Sequence, residues 1–230
     1  MKCVPLEILE ARLEVISFNE LIDSFERFMM SNKYARVVVY PSIGKATIWM
    51  ANPVSPRAEA MAKSAVNLTG YMNFRDEKEK TLLEEYLVSC QEEMYHAADN
   101  LLHRVLKSQE TRLSHYVGQY NHIICKERNN GIPHADIEFN FDSKKNKEVI
   151  RAVKAYCDGN CVPYYNFEMH TTMRDYAMLS SCHSRDAMWI YFQAKSDVSR
   201  ALFGDIEEVL KPIGFRKHWG MPLFLSLHRM

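Results

Sequence analysis

The chain has 230 residues, 47% of them apolar, enough for a sizeable core in one large domain or one domain with an insert. Its 29 Lys+Arg balance 29 Asp+Glu, and a formal net charge of zero leaves no electrostatic footprint for nucleic acid and no polybasic membrane signal. No run is long and apolar enough to span a bilayer, and the opening MKCVPLEILEARLE lacks the charged start and apolar core of a signal peptide, so a cytoplasmic protein is expected.

The opening segment reads as a strand. Ser17-Phe18-Asn19-Glu20 is a capping box, and Phe18, Leu21, Ile22, Phe25, Phe28 and Met29 recur at helical spacing, which predicts a helix over Phe18 to Met30. Tyr34 to Tyr40 is β-branched and aromatic, hence a strand; Pro41, Ser42 and Gly44 turn the chain, and Ala46 to Met50 returns. A helix over Ala58 to Asn67 and a long one over Arg75 to Lys107 form a helical insert at about 56–110. The Met and aromatic stripe of the long helix is a core face, not a cofactor box.

Leu113 to Cys125 is strand-like, and Ala135 to Phe141 alternates as a half-buried strand does. Asp142 or Ser143 caps a helix carrying Val149, Ile150, Val153 and Tyr156. From Tyr164 to Met221 the pattern is strand, polar loop, strand, helix and a closing aromatic-basic cluster. Strands and helices mix without a strict βαβ rhythm, which argues for an α+β protein with helices on one face of an antiparallel sheet. The two strand-helix-strand halves suggest a weak duplication.

The six cysteines are scattered, which predicts reduced thiols. Cys157 and Cys161 are spaced as zinc ligands can be, but no second pair follows; a turn on Asp158, Gly159 and Asn160 explains them, and no metal is expected. Ser180, Cys182, His183 and Ser184 are neighbours in one loop, which does not make a triad.

The last third carries Glu168, Met169 and His170; then Asp175, Leu179, Ser180, Cys182, Arg185 and Asp186; then Gly214, Arg216, His218, Trp219 and Gly220. In that order and spacing they resemble the C-terminal, cap or substrate, part of the FAD-dependent sugar-1,4-lactone oxidases: the gulonolactone, galactonolactone and arabinonolactone oxidases, with the related alditol oxidases. Cys3, Val4 and Pro5 match the segment that follows the flavin domain in that family, and Glu138 and Phe139 match one of its strands. The resemblance implies a single cap-like domain over 1–230 with a ferredoxin-like antiparallel sheet. It also implies FAD as the cofactor and roles for particular residues: Glu168 and His170 catalytic, Ser180 and Arg185 at the substrate. His218, Trp219 and Gly220 would meet the cofactor if a flavin domain is supplied in trans.

Read from the residues alone, Glu168 is a strand carboxylate paired with Arg174 or Arg185. Likewise, His218 caps the last helix, and Arg185 and Asp186 make an ion pair or loop anchor. Where the family has Glu-x-Arg and a closing Lys near the flavin ring, this chain has His170 and Met221, which cannot supply two fixed positive charges. With eight glycines and no G-x-G-x-x-G, no loop for a pyrophosphate is expected, and the chain alone is expected to bind no cofactor. Two functions follow: a cap domain of an aldonolactone oxidoreductase working with a separate FAD-binding chain, or a non-catalytic binding module descended from it. The docking face could serve self-association as a homo-oligomer in the second case. A ferredoxin-like nucleic-acid binder lacks the basic, aromatic face it needs.

Overall fold

The computed structural model describes residues 7–54, 81–82, 84–86, 88–89, 93–112, 115–120, 134–160, 166–195 and 199–218. In chain order the elements are β1 Ile8–Ser17, α1 Phe18–Met30, β2 Tyr34–Tyr40, β3 Lys45–Pro53, α2 Tyr95–Arg112 and β4 Tyr116–Gln119. They continue with β5 His134–Asp142, α3 Asn146–Gly159, β6 Asn166–Thr172, β7 Ala187–Lys195, α4 Ser199–Leu210 and β8 Arg216–Lys217. The eight strands form one sheet in the order β4-β1-β3-β2-β6-β7-β5-β8. The registered pairings β1–β4, β2–β6, β5–β7, β5–β8 and β6–β7 are all antiparallel. This is the mixed α and β architecture with an antiparallel sheet that the pattern predicts. In each half of the chain the fourth strand lies beside the first, then the third, then the second. The two outermost strands, β4 and β8, are the shortest, at four and two residues.

The Ser17 arm of the capping box forms: Glu20 N–H donates to Ser17 Oγ at 3.1 Å, and α1 starts at Phe18. Gly44 ends the turn after β2 at φ 60°, where glycine carries no Cβ penalty. Its carbonyl accepts from Phe18 N–H at 2.9 Å.

Two helix starts differ from the expected ones. The long helix over 75–107 breaks at Glu93, which takes a left-handed φ of 59°; Met94 N–H returns to the Ser89 carbonyl at 2.9 Å, closing a helix end before α2 starts at Tyr95. No glycine marks that break. After β5, the Asp142 carboxylate accepts from Lys144 N–H at 3.0 Å and so caps a single 3-10 turn, Ser143–Lys145; α3 begins only at Asn146. The helix expected at 58–67 and most of the strand expected at 113–125 lie outside the described residues, β4 being the described part of the latter.

The chain divides into two compact units, Met1–Val15 with Met30–Ala35 and Thr47–Gly131, and Ile16–Met29 with Arg36–Ala46 and Ile132–Met230. In the first, Leu9, Ala11, Leu13 and Ala51 form the core, with Val15, Tyr34, Trp49 and Tyr120 packed against it. In the second, the two-residue period of the strands puts Val37, Val39, Ile137, Phe139, Phe141, Phe167, Met169, Ile190 and Phe192 on one buried face. Helix α1 meets that face through Phe18, edge-on to Phe167 at 5.7 Å. Phe215 packs on Phe139 at 4.7 Å, and Lys217, the register partner of Phe139, pairs with Glu207 of α4 at 2.6 Å.

Asp158 and Gly159 continue α3 rather than turn, and the end comes at Asn160, whose Nδ2 donates to the Tyr156 carbonyl at 2.7 Å. Cys161 lies outside the described residues. Burial, then the Asp158 charge, pushes the Cys157 thiol up to about 12, against a smaller opposing pull from Lys154. A thiol held protonated is a poor nucleophile. Cys157 is therefore expected to react with iodoacetamide at pH 8 roughly a hundredfold or more slowly in the native protein than in the urea-unfolded chain. Peptide mapping after timed alkylation checks this, and equal rates in the two states would contradict it.

Candidate functional site

The face of β6, β7 and β5 opposite the phenylalanines carries side chains of another kind. Glu168 on β6 stands in register with Val38 of β2 and Tyr191 of β7, and Tyr191 in turn with Glu138 of β5. One row along, His170 faces Trp189, Trp189 faces Asn140, and Asn140 faces Arg216 of β8. The imidazole of His170 and the indole of Trp189 lie nearly parallel, 12° apart at 6.2 Å, and His218 meets the indole edge-on at 5.9 Å. His218 N–H donates to the Glu138 carbonyl at 3.2 Å. Glu168, His170, Trp189, Tyr191 and His218 are all half-buried, neither sealed nor fully solvated.

The loop between β6 and β7, residues 173–186, folds on its own hydrogen bonds. Asp175 organises it: its carboxylate accepts from Ser180 Oγ at 2.5 Å and from Ala177 N–H at 3.1 Å. Its backbone pairs with Cys182 and Ser184, the latter at a left-handed φ of 62°. Cys182 then ties loop to sheet. Its Sγ lies 2.9 Å from Thr172 Oγ1 and 3.7 Å from Asn140 Nδ2, and Trp189 Nε1 donates to Thr172 Oγ1 at 2.8 Å. Asn140, fully buried, accepts twice from Arg185 Nη2, at 3.1 Å through its carbonyl and 2.6 Å through its side chain. Arg216 donates to the carbonyls of Ser181 and His183 at 3.0 and 3.3 Å. Burial first and the neighbouring Arg216 second pull Arg185 below the usual guanidinium range, with Asp142 and Cys182 opposing.

The structure thus brings Glu168, His170 and His218 onto one face, and sets Ser180 and Arg185 in the adjoining loop. Ser180 spends its hydroxyl inside that loop, donating to Asp175 and accepting from Cys182 N–H at 3.0 Å. Arg185 anchors the loop, but to Asn140; Asp186 accepts from Arg174 N–H at 2.9 Å, so the ion pair expected between Arg185 and Asp186 does not form. Glu168 pairs with neither Arg174 nor Arg185, because the second is committed to Asn140 and the first makes no ion pair among the described residues. His218 lies beyond β8 beside Trp189, not at the end of α4. Trp219, Gly220 and Met221 lie outside the described residues. The sequence reading misses Trp189, Tyr191 and Asn140; the alternation in AMWIYFQAK signals two faces, but only the register says which residues Glu168 and His170 meet.

What the face can do is bind: a carboxylate to accept from hydroxyls, an indole to pack on an apolar sugar face, and imidazoles that donate or accept according to protonation.

Sheet and helices together have the fold of part of a known oxidase. Cholesterol oxidase from B. sterolicum superposes with a TM-score of 0.66 at 12% identity over 92% of this chain and 48% of that one, so the chain spans about half that enzyme's length. Berberine bridge enzyme from Eschscholzia californica (TM-score 0.42, 8% identity, 90% of this chain and 41% of that one) is more distant. So is an FAD-bearing glucooligosaccharide oxidase from Acremonium strictum (0.40, 8%, 84% and 40%). No curated protein matches the sequence. The chain belongs to the D-arabinono-1,4-lactone oxidase family, whose model matches residues 1–228.

Proposed function

We propose that this chain is the substrate, or cap, domain of an aldonolactone oxidoreductase, laying its polar sheet face against a flavin carried by a separate domain or chain. The observation that carries this reading is the convergence of Glu168, His170, Trp189 and His218 on one half-buried face in a chain of the lactone oxidase family. FAD enters through the family alone, and no chemical step is assigned to this chain. Its own residues bind and orient. Glu168 accepts from sugar hydroxyls, Trp189 packs on the C–H face of the ring, and Thr172 holds the indole in place through Nε1. In the same reading the chain is one cap domain with a helical insert at about 56–110, built of two ferredoxin-like halves; the repeated strand permutation supports the halves. It works in the cytoplasm, in keeping with the free thiols of Cys157 and Cys182.

A second reading, a binding module without catalysis, is favoured by His170, an imidazole where the family's strand carries a permanent cation. One experiment addresses both. D-arabinono-1,4-lactone titrated into the protein is expected to change tryptophan fluorescence and to give saturable heat. Glu168→Gln is expected to weaken binding by about tenfold, the loss of one charge-assisted hydrogen bond. Turnover after mixing with the flavin domain of an intact family member supports the first reading, and binding without turnover the second. Absence of any lactone binding would sink both.

A further inference from the structure

We propose, on the reading of this face as a lactone-binding surface, that Thr172 is a further ligand-binding residue, its hydroxyl donating to the lactone's carbonyl oxygen. Thr172 follows Glu168 and His170 at the two-residue period of β6, so it belongs to the same face, and it is half-buried. A ligand laid over the His170–Trp189 row has Glu168 at one end and Thr172 at the other. On an extended strand their Cα atoms lie about 13 Å apart, room for one sugar ring with a hydrogen bond at each end.

The neighbours of Thr172 decide where its proton goes. An indole nitrogen is a donor only, and Trp189 Nε1 gives its hydrogen to Thr172 Oγ1 at 2.8 Å. The other side-chain partner of Thr172 among the described residues is Cys182 Sγ at 2.9 Å, a contact in which either atom can give the hydrogen. Cys182 is 5% exposed, and its sulfur faces the donor Asn140 Nδ2 at 3.7 Å. Among the described residues, Thr172 Oγ1 is therefore the acceptor within reach of the buried S–H, whereas the half-buried Thr172 hydroxyl has an open side. The arrangement that strands no buried hydrogen has Cys182 donating to Thr172. The Thr172 oxygen then receives two hydrogens, which fills both its lone pairs. Its own hydrogen is left to donate outward.

The two ends of the face thus ask for different groups. An ionised carboxylate only accepts, so Glu168 suits the ligand's hydroxyls. A hydroxyl held as a donor suits an oxygen that carries no hydrogen, and the carbonyl of a lactone is one. Imidazoles exchange donor for acceptor as they titrate, whereas Thr172 keeps its role at any pH.

The test compares two ligands that differ in that oxygen: D-arabinono-1,4-lactone and 1,4-anhydro-D-arabinitol, the same ring with a methylene in place of the carbonyl. Calorimetric titration of the full chain is expected to show the lactone binding about fivefold tighter, the worth of one neutral hydrogen bond. Thr172→Val keeps the side-chain shape without the hydroxyl and should abolish that preference. It also leaves the Trp189 N–H without its acceptor, a loss that weakens both ligands alike and so cancels in their ratio. Thr172→Ser should keep the preference. A preference that survives in Thr172→Val overturns the proposal and leaves the lactone-binding reading standing. Equal or reversed affinities in the wild type do the same, and that result depends on no variant folding. A wild type that binds neither ligand overturns the lactone-binding reading, and the role of Thr172 falls with it.

Discussion

Phe139→Ala is expected to lower folding stability by about 3–5 kcal/mol, the usual range for emptying a buried phenylalanine site. Phe139 sits on β5, which pairs with β7 on one side and β8 on the other, and it has no exposed surface. Its ring meets Phe192 at 5.9 Å and Phe215 at 4.7 Å, both edge-on. The aromatic layer cannot close over the missing ring without moving β8, which holds Arg216 and leads into His218. Urea unfolding monitored by circular dichroism gives the number. Phe215→Ala, which removes a half-buried ring from the same cluster, serves as the milder control. A loss below about 1 kcal/mol for Phe139→Ala would mean that the sheet face is not packed as described.

Asn140→Ala should cost about 2–4 kcal/mol, by a different route. Asn140 is fully buried on the polar side of the sheet, under the loop. Its side-chain oxygen accepts from Arg185 Nη2 at 2.6 Å, and its Nδ2 touches Cys182 Sγ at 3.7 Å. Alanine leaves the guanidinium partly buried with one acceptor fewer, and Arg185 Nε is already buried without a hydrogen-bond partner among the described residues. Removing one partner from a buried charge-assisted pair costs more than the pair contributes. The effect should also reach Trp189, whose indole is fixed by Thr172, the neighbour of Cys182. Thermal melts and the tryptophan emission maximum are therefore expected to shift together. Asn140→Asp keeps an acceptor for Arg185 and should retain most of the stability. If it falls as far as the alanine variant, Arg185 is not the reason Asn140 is buried.

Local signals served the sequence reading well where one residue type has one physical meaning. Ser17 and Glu20 mark the start of α1, Pro41 and Gly44 the turn after β2, and the β-branched run around Val37 to Val39 a strand. They failed at Glu93, where a glutamate occupies the left-handed position that glycine usually signals. They also failed after Asp142, where the cap serves a 3-10 turn before the helix. The site was legible only in outline. Glu168 and His170 show their common face by spacing, but Trp189, Tyr191 and Asn140 join them through register, and register is a long-range property that no local window contains. Arg185 and Asp186 are adjacent in sequence and looked like a pair, yet loop folding turns one to Asn140 and the other to a backbone amide.

The brevity of β4 and β8 has a consequence for the protein in a crowded cell. The outermost strand at each end of the described order is a position on which another chain could grow. Four residues at one margin and two at the other give an incoming strand few ladder rungs to hold. Lengthening either margin into a flat, apolar strand should therefore convert a self-limiting sheet into one prone to stack into fibres.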